Sequence, residues 1–198
     1  TLPGELDVMG ASLLTTNRVA IGFNKDIAWT HTVSTAKRFT LYRLTLNPEN
    51  PYEYLYDGAY RAMEKRSVTV SVPGDDGQLK TEPHETYFTH FGPVVESEAL
   101  PWKNGVAFAM RDAVIDNYLT AATYDALGKA TSTADIEAAI SQQGVYWTNT
   151  VAADRAGNAF YADISGTPNI DESLLERCQI GLPESMSYLI LLRGDDSS

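Results

Sequence analysis

VAIGFNKDIAWTHTV, residues 19–33, is the stretch on which the reading of the chain turns. Two apolar runs, VAIGF at 19–23 and IAWTHT at 27–32, flank the polar link Asn24-Lys25-Asp26. This pattern predicts two short strands joined tightly. The next residues widen the question, because AWTHTVSTAKRF (28–39) crowds a Trp, a His, a Ser and several hydroxyl or basic side chains together. It could be a catalytic cluster, a ligand wall or a decorated strand edge. In a strand, His31 and Ser34 face opposite sides, so direct activation of the serine by the histidine is not expected.

Working outward, strands dominate the first two thirds. FTLYRLTL (39–46) alternates, with Tyr42, Leu44 and Leu46 on one face and Leu41, Arg43 and Thr45 on the other. Asn47-Pro48-Glu49-Asn50-Pro51 ends it. YEYLY (52–56) stops at Asp57-Gly58, and SVTVSV (67–72) stops at the turn signal PGDDG (73–77). TYFTHFGPVV (86–95) reads as one strand bent at Gly92-Pro93. From about residue 112 the period becomes helical through Ile115, Tyr118, Leu119, Ala122 and Ala126, with Gly128 as a candidate cap. Ser132 followed by Asp135 signals a capped second helix before IEAAI. WTNTVAAD (147–154) and NAFYADI (158–164) then form a hairpin around Arg155-Ala156-Gly157. The residues alone therefore predict an α+β chain rich in strands.

Composition narrows the function. A net charge of −11 argues against a nucleic-acid partner, which needs a Lys/Arg footprint. The apolar run YLILL (188–192) is too short to span a bilayer. One cysteine, Cys178, excludes a disulfide within the chain and reads as a semi-buried structural thiol. His84 and His90 have poor spacing for zinc on a strand, so neither a metal nor a cofactor is expected. The carboxylate pairs Asp75-Asp76 and Asp195-Asp196 lie in turn and tail contexts, and RGDDSS reads as a frayed end. No G-x-S-x-G, P-loop or G-x-G-x-x-G is present. Most of the aromatic residues read as core, and a minority could line an apolar pocket.

A combination of motifs then carries a resemblance. PGELDVMGAS, IGFNKDIAWTHTV, FTLYRL, HFGPVV (90–95), AFAMRDA (107–113) and WTNTVAADRAGNAFY (147–161) together resemble the β-subunit of penicillin-acylase-type N-terminal nucleophile hydrolases. Within that family the chain is most similar to the acyl-homoserine lactone and aculeacin A acylases. The resemblance implies a β-rich fragment of an αββα sandwich with an inserted β subdomain. It divides the chain into core strands at 1–45, the subdomain at 46–105, helices and return strands at 106–180, and a tail at 181–198.

The resemblance also assigns roles. The main-chain N–H of Val33, in THTV, falls at the oxyanion-hole position, so His31 and Ser34 are not catalytic and Trp29 packs in the core. Leu13, Thr32, Val33, Tyr124 and Trp147 fall at positions like the acyl-pocket wall. The family's nucleophile is an N-terminal Ser exposed by self-cleavage, and no residue here matches it, so the chain is expected to be inactive alone. Its implied partners are the remainder of the β-subunit, the α-subunit and a small acyl-amide substrate. Calcium is not expected at Ser34–Arg38, which holds no carboxylate. Cys178 falls where a related acylase forms a disulfide. Periplasmic or secreted location follows from the family. The competing expectation is a stand-alone β-rich ligand-binding module.

Overall fold

The computed structural model describes residues 4–14 and 16–196. The chain's first three residues, Thr15 and its last two residues, which fall in the expected core and tail segments, lie outside the described residues. In chain order the elements are β1 (Met9–Ser12), β2 (Val19–Phe23), β3 (Ile27–Val33), β4 (Phe39–Asn47), β5 (Asn50–Tyr56), β6 (Ala59–Ala62), β7 (Glu64–Pro73), β8 (Leu79–Thr89), β9 (Gly92–Val95) and β10 (Val106–Asp112). Helices α1 (Thr120–Lys129) and α2 (Thr133–Ile140) follow, then β11 (Thr148–Asp154), β12 (Ala159–Asp163), α3 (Glu172–Cys178) and β13 (Ile190–Arg193). The chain is strand-rich with few helices. It forms two compact units, residues 1–38 with 113–167 and residues 39–112 with 168–198. These divisions differ from the breaks at 45, 105 and 180 expected from sequence.

The first unit is a five-stranded antiparallel sheet in the order β1-β2-β3-β11-β12. The alternation along β3 decides which face is covered. Ile27 and Trp29 are 3% exposed, while Ala28 and Thr30, which alternate with them, are open to solvent. With Ala20 and Ala152 they pack against Tyr124, Leu127, Ile136, Ala139 and Ile140 of the two helices. Burying an indole of this size stabilises by a few kcal/mol, so Trp29 anchors the layer. The capping box at the start of α2 is formed: Ser132 accepts from the Asp135 N–H, and the Asp135 carboxylate accepts from the Ser132 N–H at 3.0 Å. The first helix corrects the sequence expectation. It starts at Thr120, so Ile115 and Tyr118 precede it, and Gly128 lies buried inside it rather than capping it. Apolar spacing over 115–119 imitated a helical turn, yet Ile115, Tyr118 and Leu119 are exposed.

The second unit has the strand order β6-β5-β4-β10-β9-β8-β7, with β13 parallel to β4. Leu44, Leu46, Tyr54, Ala107 and Ala109 are its buried centre, joined by Tyr42 as the alternation predicts. Asp57 and Gly58 both have positive φ and close the β5–β6 hairpin. Two expectations are corrected here. The stretch 86–95 is not one bent strand: it is the end of β8, a turn through His90-Phe91, and β9 returning antiparallel. Residues 181–198 are more than a tail, since Ile190–Arg193 pair along β4 and Leu191 and Leu192 are buried. Cys178 is 6% exposed.

Candidate functional site

The site is built on the last residues of β3. On the β11 side, pairing runs unbroken from Ile27↔Asp154 to Val33↔Thr148. Main-chain bonds fix its phase at both ends: Arg155 N–H donates to Asp26 O, and Ser34 N–H donates to Trp147 O, each at 2.9 Å. In an antiparallel pair, hydrogen-bonded and non-hydrogen-bonded pairs alternate. Positions 26, 28, 30, 32 and 34 therefore bond towards β11. Val33 falls in a non-hydrogen-bonded pair, and its N–H is directed away from β11, towards the β2 side. There the register between β2 and β3 covers only Gly22↔Trp29 and Phe23↔Ala28, extended by Asn24 N–H donating to Ile27 O at 2.9 Å.

The early end of that pairing has a visible cause. Continued register would place Ala20 opposite His31. Instead, the Ala20 carbonyl accepts the Trp29 indole N–H at 2.9 Å. The indole thus takes an acceptor that a main-chain ladder would use, and β2 does not zip along the end of β3. The Val33 amide is left at an unpaired edge, and its side chain is 76% exposed.

Side chains on the helix-facing side support this edge. His31 lies two pairs back from Val33 on the same face, with Nδ1 3.0 Å from Thr150 Oγ1 and its ring edge-on to Tyr124, centroids 6.3 Å apart. Burial lowers the His31 pKa, so the imidazole is neutral around pH 7. Burial raises the Tyr124 hydroxyl above its ordinary value. Tyr124 also lines a cleft of about 340 Å³ with Leu6, Val8, Val19 and Gly128, beside a bidentate Arg18–Asp125 pair at 2.8 and 3.1 Å.

The opposite face carries a polar network. Asn149 Nδ2 donates to Thr32 Oγ1 at 3.2 Å and to Val33 O at 3.3 Å, while Asn149 Oδ1 accepts from the Tyr161 hydroxyl at 2.9 Å. Ser34 Oγ donates to Asp163 at 2.7 Å, and Ser165 holds the same carboxylate. Those bonds, Ser165 first, keep the Asp163 carboxyl below its ordinary pKa. The segment Ser34–Arg38 lacks a carboxylate in sequence, yet Asp163 of β12 reaches it. Among the described residues, no group of three or more His, Cys, Asp or Glu is placed to hold a metal ion, and no helix is long and apolar enough to cross a membrane.

The predicted residues are thus distributed unevenly. Val33, Thr32 and Trp147 meet on the β3–β11 pair, with Thr32 and Val33 pointing to opposite faces. Tyr124, 3% exposed, reaches β3 through the His31 ring. Leu13 stands at the end of β1, 48% exposed, with its carbonyl accepting from Thr16 N–H. His31 and Ser34 point apart, as expected. Sequence reasoning missed Asn149 and Tyr161. The signal available was their place inside WTNTVAADRAGNAFY, on alternating positions of a predicted hairpin.

Comparison with known proteins gives consistent matches. The family model for penicillin amidase matches residues 1–198. The chain is similar to an acyl-homoserine lactone acylase, PvdQ, of Pseudomonas fluorescens, with 40% identity over 200 residues covering 100% of this chain and 26% of the relative. It is 42% identical over 199 residues to the PvdQ of Pseudomonas syringae pv. syringae, covering 100% of this chain and 25% of that protein. Aculeacin-A acylase of Actinoplanes utahensis is 35% identical over 179 residues, 89% of this chain and 22% of that protein. Among solved structures, thermostable penicillin G acylase from Alcaligenes faecalis superposes with a TM-score of 0.74 at 22% identity, covering 98% of this chain and 32% of that one. The chain spans about a quarter of the length of the lactone acylases it matches.

Proposed function

The chain belongs to the penicillin amidase family, and from that premise we propose that it forms the oxyanion-stabilising portion of an amidohydrolase that removes an acyl side chain from an amide. The observation that carries this reading is the Val33 N–H, directed out of the β3–β11 ladder at an edge β2 does not cover. A hydrolase of this kind needs a rigid donor where negative charge develops, not a reactive side chain. The main chain supplies one, which is why valine can occupy the position.

In the proposed reaction, the hydroxyl of an N-terminal Ser in the longer polypeptide attacks the amide carbonyl carbon. Its α-amine takes the hydroxyl proton, directly or through water, and passes it to the departing amine. The carbonyl oxygen gains the electron pair and accepts from Val33 N–H. An ester to Ser forms, the C–N bond breaks, and water then hydrolyses the ester. The remainder of the β-subunit and an α-subunit are the proposed partners, and the 198 residues by themselves do not turn over an acyl amide. An N-acyl-homoserine lactone, a lipopeptide or a penicillin-type amide fits the substrate class, as the names of the relatives suggest. The acyl chain lies along Leu13, Thr32, Val33, Tyr124 and Trp147. A periplasmic or secreted location goes with this reading.

The open sheet face supports the finer αββα architecture. Ile21, Phe23, Val151 and Tyr161 are between 39% and 66% exposed on the side away from the helices, where a second sheet would pack. The test of function is the full-length protein with Val33→Pro, assayed on penicillin V and a long-chain acyl-homoserine lactone. Proline removes the donor and no ladder bond. The expected loss in kcat is about 10²–10³-fold. Wild-type turnover by Val33→Pro would remove the oxyanion role from this residue.

A further inference from the structure

Val33 is the last residue of β3, and no regular structure follows it until β4 begins at Phe39. Its side chain is largely in solvent, so packing does little to fix its peptide planes. Asn149 supplies the missing constraint. It sits opposite Thr32 in the β3–β11 register. Its amide nitrogen donates to the hydroxyl of Thr32 and to the carbonyl of Val33, at 3.2 and 3.3 Å. These two contacts bracket the Val33 N–H along the chain, one on the residue before it and one on the carbonyl after it.

The side chain of Asn149 is itself oriented. Its Oδ1 accepts from the Tyr161 hydroxyl at 2.9 Å, so the donor end of the amide is turned towards β3 and the acceptor end towards β12. Thr150 separates Asn149 from Val151, the next residue on this face of β11, and Tyr161 lies directly opposite Val151. The phenol therefore reaches diagonally to Asn149, a span long aromatic side chains cover in antiparallel sheets.

We propose that Asn149, oriented by Tyr161, is a positioning residue that holds the Val33 peptide at the angle its oxyanion role requires. It touches neither substrate nor nucleophile and acts through the main chain. This rests on the reading of Val33 given above. A donor displaced by a fraction of an ångström loses much of its worth, because preorganised hydrogen bonds act only at the position the charge will occupy.

The test uses the full-length protein with Asn149→Asp, Asn149→Ala, Tyr161→Phe and, as a control, Val33→Pro. Steady-state kinetics on an acyl-homoserine lactone are measured beside thermal unfolding. Asn149→Asp keeps the size of the side chain and removes both donations to β3. It is expected to lower kcat on the order of ten- to a hundredfold with KM within about twofold of wild type. Tyr161→Phe should lower kcat by a few-fold, with Tm close to wild type. If Val33→Pro loses turnover while both Asn149 variants keep it, the positioning role is wrong and the reading of Val33 stands. If the kcat loss tracks a fall in Tm and folded fraction, Asn149 is only structural and the proposal is overturned. If Val33→Pro keeps full turnover, both ideas fall together.

Discussion

The β3–β11 pair and the β7–β8 hairpin have the same alternating grammar and opposite fates. IAWTHTV sets Ile27 and Trp29 beneath two helices at 3% exposure. SVTVSV sets Val68, Val70 and Val72 on one face of an equally regular ladder, yet Val68 and Val70 remain 50% and 36% exposed. Alternation specifies a strand and which side chains share a face. It does not specify what covers that face. In the first unit the cover is α1 and α2, brought by sequence more than ninety positions away; among the described residues nothing equivalent lies over the valines of β7.

The contrast can be broken most directly at Trp29. Trp29→Ala removes a buried indole and the N–H that holds Ala20, and it should cost about 3–5 kcal/mol of stability in denaturant titration of the folded protein. A loss under 1 kcal/mol would mean the helix layer does not depend on this anchor. A smaller effect is expected at the start of α2, where Ser132→Ala removes one half of the capping box at a cost of about 1 kcal/mol. At the exposed hairpin, Val70→Thr should change stability by no more than about 0.5 kcal/mol. A large loss there would show that the valine face is buried in the working protein.

A pH titration sharpens the comparison from the polar side. Asp154 at the β11–β12 turn accepts from Asn158, Ala156 and Thr133, and those bonds, the Asn158 side chain first, hold its pKa below 3.8. A carboxyl lower in the folded than the unfolded state contributes stability that is complete above the unfolded value. That contribution fades as pH falls through the folded value. Asp154→Asn should therefore flatten the acid limb of the stability curve below about pH 4 and leave its neutral region with the same slope. An unchanged acid limb would assign acid sensitivity to other carboxylates.

Much of the fold could be read from local pattern. β3, β4 and β7, the Asp57-Gly58 turn, the Ser132–Asp135 cap and the hairpin at Gly157 all follow from residue type and spacing. The missed elements are those whose existence depends on distant partners. MGAS at 9–12 has no strand signature; it pairs because Gly10 and Gly22 let two backbones approach, and a Cβ at Gly10 would lie 2.6 Å from the Gly22 Cα. β10 and β13 are strands because β4 lies between them. The helix expected from about residue 112 begins only at Thr120, because apolar spacing over 115–119 serves exposed turns.

The site divides the same way. Val33 entered as a candidate through the resemblance of THTV to the family pattern, whereas the reason its amide is open could not be read from the sequence. That depends on an indole bonding back nine residues to Ala20 and on a ladder phase set by Ser34 and Trp147. Asn149 and Thr32 meet across 117 positions of sequence, a distance no local motif spans.

The most direct measurement is amide hydrogen exchange at three consecutive residues in the folded full-length protein without substrate. Thr32 and Ser34 bond into β11, so both should be strongly protected, with Val33 between them exchanging far faster. Val33 protected to the same degree as its two neighbours would mean that its N–H is engaged in the sheet and unavailable to an oxyanion.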